Sequence, residues 1–350
     1  MEIIPFGVLS EPDSNGRRHV DVVSMQSSSL EVSILTLGAT LQSIEAPDRY
    51  GRRDHVSLHL STADDYLRAA TTSYLGATCG RWAGRIADAT YGLDGQKIRV
   101  DANEGDHHLH GGTRGFSSRI WEIASTQSDD DGGVVVLALN SPHGDQGHPG
   151  NVDVTATFEL HGHALSISYE ATTDAPTACN ITNHSYWNLA GSGAGEIEGS
   201  IGDHELRVAA DVVLRNDYRN IPSGPLRPVQ STPFDLRDPR PLDQVLVDTG
   251  GLDLAYKVRP DEELGAPDGL HFAAELHHPG SGRTLTLATD QPALQVYSSE
   301  RLGPPFQRRS AVCLEAQRFP NSPNRQDLGP SILRPGEHFL ATTHLTFGVR

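Results

Sequence analysis

Lysine is nearly missing from this 350-residue chain, with only Lys97 and Lys257, so its basic character is almost all arginine. Covalent Schiff-base chemistry therefore has little to draw on. Cysteine is equally scarce: Cys79, Cys179 and Cys313 are widely spaced and supply neither a disulfide framework nor a CxxC metal knuckle. Free thiols in a reducing compartment are the expectation. The longest apolar run, Val134 to Leu139, falls far short of the about 18 residues a membrane helix needs. The N-terminus Met1-Glu2-Ile3-Ile4-Pro5 has no basic segment followed by an apolar one. Both observations predict a soluble, cytoplasmic protein with no membrane partner. Positive charge is outnumbered, 28 Lys and Arg against 45 Asp and Glu, and a formal charge of -17 repels phosphate backbones. Nucleic acid is not an expected partner. No GxSxG elbow occurs, which removes the commonest serine-hydrolase signature.

What the chain has in quantity is alternation. In Val152-Asp153-Val154-Thr155-Ala156-Thr157-Phe158-Glu159-Leu160 every second side chain is apolar, the pattern of a half-buried antiparallel strand. The turn-prone stretch His161-Gly162-His163 follows, and alternation resumes from Leu165 to Glu170, so the two runs should pair as a hairpin. Further strands are predicted over Val32 to Leu41, Gly133 to Leu139, Glu205 to Ala209, Arg283 to Ala288, Leu294 to Tyr297 and His338 to Phe347. No segment shows three capped turns of helical periodicity, and the best short helix is Ala63 to Ala70 behind Thr62. The stretch from Arg215 to Arg240 reads as a long irregular excursion. No low-complexity boundary or fixed-period repeat divides the sequence, so one large antiparallel β domain over residues 1–350 is predicted.

Four segments are denser in polar groups than a β core needs. The first, Gly76-Ala77-Thr78-Cys79-Gly80-Arg81-Trp82-Ala83-Gly84-Arg85-Ile86, holds two arginines among small residues. A guanidinium held there is either a clamp on backbone carbonyls or a planar fork for vicinal hydroxyls or a carboxylate. The second, Asn103 to Gly112, places His107, His108 and His110 before a glycine pair. Such close spacing on a loop is poor for a tetrahedral metal site, and His110 beside the glycines is the better candidate for hydrogen bonding a substrate. The third, Thr182 to Gly191, joins His184 to the aromatic pair Tyr186-Trp187. Ser185 is badly placed to be activated by its neighbour, because adjacent strand residues point to opposite faces. The fourth, Ala311 to Pro323, sets Glu315 between apolar residues on the face of Cys313 and Gln317, and a carboxylate near a core can be poised as a base.

Taken in order, these segments resemble the aldose 1-epimerase (galactose mutarotase) family over nearly the whole chain. Its pattern GxxxGRxxNRI is matched by Gly76 to Ile86, its LDG by Leu93-Asp94-Gly95, and its NxGxxxLHGGxxGFxxxxW by Asn103 to Trp121. Gly144 to Gly150 resembles DGEEGYPG, Asn183 to Gly191 resembles NHSYFNLAG, Phe234 to Arg237 is FDLR, and Cys313 to Pro323 resembles CLETQxFPDSP. The resemblance implies a large antiparallel β-sandwich (a galactose mutarotase-like supersandwich) with few short helices, an open sugar cleft, no metal and no cofactor. It implies Glu315 as general base, His184 as general acid, and Arg85, His110, Tyr186, Asp253 and Gln295 as substrate-binding residues. The small-molecule partner would be a free aldose such as glucose or galactose, acted on by a monomer or homodimer. Departures are Gly84 where the pattern has asparagine, Leu254 after Asp253, Ser298-Ser299-Glu300 after Tyr297, and Ala316 in CLEAQ.

The implied chemistry removes the C1 hydroxyl proton and protonates the ring oxygen O5, opening the hemiacetal to an aldehyde. Rotation and reclosure then give the other anomer. Opposite charges on a carboxylate and an imidazolium would favour each other, and the pair predicts a bell-shaped pH profile. Alternatives are a non-catalytic sugar-binding protein on the same fold, a sugar-phosphate mutarotase with Arg81, Arg85 and Arg114 as its basic cluster, and a carbohydrate hydrolase or lyase on a related sandwich pairing Asp253 with Glu315.

Overall fold

The computed structural model describes residues 1–11, 18–191, 200–260, 266–267 and 269–350. Three antiparallel sheets carry the architecture. A five-stranded sheet runs in chain order through Glu2–Val8, His19–Gln26, Glu31–Leu35, Thr40–Pro47 and Arg53–His55. A nine-stranded sheet has the order Glu122–Asp129, Gly132–Ser141, Val152–His161, Ala164–Thr173, Phe339–Val349, Arg283–Thr289, His271–His277, Glu205–Val208 and Arg240–Pro241. A six-stranded sheet has the order Tyr186–Trp187, Val312–Gln317, Ala293–Tyr297, Asp253–Lys257, Val212–Leu214 and Arg227–Pro228. Two α-helices, Ala63–Ala69 and Leu242–Thr249, are found among the described residues. None of its helices is long and apolar enough to cross a membrane.

The period-2 pattern explains the burial. Along Val152–His161 the apolar positions are buried while Asp153, Glu159 and His161 are exposed, and Leu160 pairs with Leu165 across the predicted hairpin. One core cluster draws on all three sheets, with Val32 and Ile34 from the first, Phe158 and Ile167 from the second, and Leu294, Val296 and Leu314 from the third. Burial of such side chains contributes roughly 1.5–3 kcal/mol each. Helix Ala63–Ala69 begins where Thr62 accepts the Asp65 N–H and buries Ala63, Tyr66 and Ala69.

Two expectations need correction. The run Val32 to Leu41 is two strands, because Gly38 and Ala39 take φ +71° and +41° and the Gly38 N–H donates to the Arg119 carbonyl, turning the chain. Helix Leu242–Thr249 was not anticipated; it spans only two turns, buries Leu242, Val245 and Leu246, and ends at left-handed Gly250. The irregular excursion from Arg215 to Arg240 holds an isolated bridge between Asn216 and Pro222 and the short strand Arg227–Pro228.

Candidate active site

A cleft of about 110 Å³ opens on the face of the six-stranded sheet turned away from the core. Alternation assigns the faces: Val312, Leu314 and Ala316 enter the core, while Glu315 and Gln317 line the cleft. On the neighbouring strand Leu294 and Val296 are core, and Gln295 and Tyr297 line the cleft. Backbone register sets Gln295 opposite Glu315 and Asp253 opposite Tyr297. The Leu254 departure is buried in the core, so it leaves the cleft wall unaltered. Glu300, from another of the departures, accepts from Arg308, Arg309 and Ser298.

Around this floor the cleft gathers all seven residues that the resemblance implied, His184, Glu315, Arg85, His110, Tyr186, Asp253 and Gln295. His184 is pinned on both backbone sides, its N–H donating to the Ala77 carbonyl and its carbonyl accepting from Gly76. Ser185 donates to Asn183 and takes no part in the cleft. The Tyr186 hydroxyl donates to the Ser73 carbonyl at 2.9 Å, and its ring stacks on His184 with centroids 5.1 Å apart. Tyr186 therefore presents a ring rather than a free hydroxyl.

The two arginines of the first segment divide the two roles left open for them. Arg81 is a carbonyl clamp, buried and donating to Ser141, Pro142, Pro149 and Gly150. Arg85 reaches the cleft, where Glu104 accepts from its Nε at 2.5 Å and Nη2 at 2.8 Å, and Asp253 lies 3.8 Å from Nη1. Glu104 also accepts from Arg301 at 2.8 Å. Burial opposes ionisation of Glu104, yet these two guanidinium groups hold it below the usual carboxylate range. Gln295 donates to Asp253 at 2.7 Å.

His110 is positioned by close backbone approach. Strands Arg85–Ile86 and His108–Leu109 pair, and a Cβ at Gly111 would meet the Gly80 carbonyl oxygen at 1.8 Å. His110 and Gly84 clasp each other: the His110 N–H donates to the Gly84 carbonyl, and the Gly84 N–H donates to His110 Nδ1, both at 3.2 Å. Gly84 takes φ +75°, a conformation in which glycine carries no penalty.

His184 Nε2 and Glu315 Oε1 stand 3.7 Å apart, beyond a good hydrogen bond, with the two residues 4% and 2% exposed. His184 Nδ1 and Glu315 Oε2 are buried without a partner among the described residues. Burial pushes the Glu315 carboxyl up to about 8, helped by the charge of Asp253 and opposed by Arg85. Burial likewise pushes His184 down to about 4. Burial acts against the expected carboxylate–imidazolium pair by favouring the uncharged form of each group, whereas the 3.7 Å approach favours the charged forms together.

Ligand atoms of His110, His184 and Glu315 lie within 4.8 Å of one another. A metal needs a lone pair from each imidazole. Nδ1 of His110 spends its lone pair on the Gly84 N–H, which leaves the proton on Nε2 and makes that nitrogen a donor. The trio is therefore suited to hydrogen bonding rather than metal coordination. His107 and His108 turn elsewhere, to the Asp88 N–H and the Asp101 carbonyl.

The sequence reading did not nominate Tyr74, Glu104, Asn216, Asn220, Arg301 or Gln317, all of which line the cleft. Glu104 and Gln317 lay inside the segments already singled out. Tyr74, at φ +55° and buried, packs its ring 4.6 Å from His110. Nothing in the local pattern marked Arg301.

Fold and cleft together define a β-sandwich protein with a buried carboxyl and imidazole side by side on an open sheet face. The chain belongs to the aldose 1-epimerase family, whose model matches residues 21–346. Galactose mutarotases from Sus scrofa and Homo sapiens are each 36% identical to it, the first covering 96% of both chains and the second 100% of both. An aldose 1-epimerase from Escherichia coli is 33% identical over 90% of this chain and 91% of its own. Among solved structures, an aldose epimerase homologue from C. elegans superposes with a TM-score of 0.84 at 27% identity, covering 94% of this chain and 99% of that one. A galactose 1-epimerase from Lactobacillus acidophilus gives 0.82 at 27% identity, covering 99% and 98%.

Proposed function

We propose that this chain interconverts the α and β anomers of free aldoses such as glucose and galactose, with Glu315 and His184 moving the protons. The observation that carries this reading is the 3.7 Å separation of His184 Nε2 and Glu315 Oε1 on the cleft. Two groups so placed can address two oxygens bonded to one carbon, O1 and O5 of the hemiacetal. The uncharged pair and the ion pair contain the same single proton, so they are two states of one proton inventory. In the ion-pair state Glu315 takes the O1 proton while His184 protonates O5. The C1–O5 bond breaks, the aldehyde forms, and the pair is left as carboxylic acid and neutral imidazole. After rotation about C1–C2, the carboxylic acid returns a proton to O1 as the imidazole takes one from O5. Glu315 is the general base of ring opening and the general acid of reclosure, and His184 the reverse.

Asp253, which accepts from Gln295, and the neighbouring Arg85 form a polar set that can orient ring hydroxyls, His110 offers its Nε2 proton, and the Tyr186 ring faces the sugar's apolar side. The cleft supports a neutral sugar better than a sugar phosphate: Arg85 and Arg301 face Glu104 and Asp253, Arg81 is spent on carbonyls, and Arg114 lines a separate depression with Arg18 and Arg119. Within the same proposal the chain is a single domain over residues 1–350. It works in the cytoplasm, consistent with three buried free thiols, as a monomer or homodimer without nucleic-acid or membrane partners.

Polarimetry on freshly dissolved α-D-glucose and α-D-galactose tests the reading. The unaltered protein should speed the decay of rotation, and Glu315→Gln should lower kcat by about 10²- to 10⁴-fold, the usual contribution of acid–base catalysis. Sugar binding without acceleration by the unaltered protein would favour the non-catalytic alternative.

A further inference from the structure

The strand Val312–Gln317 turns a second polar side chain into the cleft besides Glu315. Gln317 is 1% exposed, and neither its Oε1 nor its Nε2 has a hydrogen-bond partner among the described residues. A buried amide left in that condition costs the protein about 1–3 kcal/mol per group. Protein cores avoid it, and the surroundings here are not core: Gln317 lines the same cleft as Glu315, Gly84, Arg85 and Pro320. Two of those neighbours, Gly84 and Pro320, bring no polar side-chain atom. Gln295, the other glutamine of the floor, already donates to Asp253. Gln317 alone of the two offers a donor and an acceptor that nothing among the described residues uses.

An amide with both functions free matches a hydroxyl, which donates to Oε1 while accepting from Nε2, or a vicinal pair of hydroxyls that divide these roles. Along a strand two residues span roughly 6.6 Å, so the amide at 317 starts from a backbone position displaced by that much from Glu315 on the same face. We propose that Gln317 is a substrate-binding and specificity-determining residue that holds a ring hydroxyl of the aldose remote from the anomeric carbon. The proposal rests on the anomer-interconverting reading above. It adds the claim that this one amide discriminates among aldoses by which hydroxyl they carry there. A site built to pair a hydroxyl rejects the analogue lacking it, because its polar group is then stranded.

Polarimetric kcat and KM should be measured for the unaltered protein, Gln317→Leu and Gln317→Asn on glucose, galactose and the 2-, 3-, 4- and 6-deoxyglucoses. The Leu variant keeps bulk and removes both hydrogen-bonding functions, while the Asn variant keeps the amide and withdraws it by one methylene. For both variants kcat/KM on glucose should fall by about 10- to 100-fold. On one of the deoxy sugars the unaltered protein should already show that loss, with the variants equal to it within about twofold. Unchanged kcat/KM in the variants on every sugar would overturn the proposal, as would an equal deficit on all the deoxy sugars, which would mean that Glu315 had been displaced instead. A thermal melt identifies a Leu variant that does not fold, and the Asn variant then decides alone. If the unaltered protein accelerates none of these sugars, the anomer-interconverting reading fails and this inference falls with it.

Discussion

Removal from water pushes Glu315 up and His184 down, and that sets the pH range over which the pair carries a single proton. Below about pH 4 His184 takes a second proton and no base remains; above about pH 8 Glu315 gives up the only proton and no acid remains. The rate should therefore be bell-shaped with its limbs near these values, and the limbs belong to the pair rather than to either residue. Polarimetric kcat/KM from pH 3 to 10 checks this, and a rate that holds constant from pH 6 to 10 would contradict it. The identity of these residues was legible in the sequence, because a glutamate among apolar alternating positions and a histidine in polar company both call for a reason. Their charge state was not. Proximity of opposite charges is a pairwise argument, whereas desolvation is a property of the whole surrounding, and no local pattern reports it.

At the level of elements, the six-stranded sheet places Glu315, Gln295 and Asp253 by alternation and register, yet only Glu315 was legible from alternation, while Gln295 and Asp253 came from the family resemblance. The histidine strand is different. Its position depends on the backbone at Gly111 passing against Gly80, where no side chain fits at φ +93°. Gly111→Ala should cost about 3 kcal/mol or more, from the clash and the unfavourable backbone region together. Urea unfolding measures that cost, and an unchanged midpoint would mean that the two segments separate freely. Helix Leu242–Thr249 escaped the sequence reading because two turns carry too little periodicity, even with Leu242, Val245 and Leu246 at helical spacing. The split of Val32 to Leu41 escaped because both halves alternate in the same way, and the intervening turn is held by a distant carbonyl.

For the whole molecule, the sequence conveyed the class of architecture and its continuity, since alternation extends from end to end. It did not convey which loops meet over the cleft. Asn216, Asn220 and Pro222, from the excursion that reads only as irregular, come to face Glu104 and Tyr74 through tertiary packing. A second global property follows from buried histidines. Burial lowers His108 and His184 to about 4 and His204 to about 3, and lowers His110 and His148 well below 6.5. Between pH 6.5 and those values the unfolded chain binds more protons, so stability is lost as pH falls through this window. Glu315 acts in the opposite sense between 4.5 and about 8, where the folded state binds more. Five groups against one leave a net loss on acidification, each weighing up to about 1.4 kcal/mol per pH unit. The urea midpoint should drop steadily from pH 6.5 to 5 at constant slope, and a midpoint unmoved over that range would count against the buried neutral histidines.

The seclusion of the acid–base pair also bears on where its protons come from. In open solution a hemiacetal ring opens with the help of any acid and base that the buffer provides. In the proposed mechanism the proton released on opening stays between the same two side chains, and reclosure returns it, so a complete turnover would draw nothing from the medium. The protein in effect brings its own two-component buffer, one molecule of each kind. Raising phosphate or imidazole tenfold at fixed pH and ionic strength should accelerate the uncatalysed mutarotation and leave kcat unchanged. A kcat that climbs with buffer concentration would mean that the pair trades protons with the solvent in every cycle.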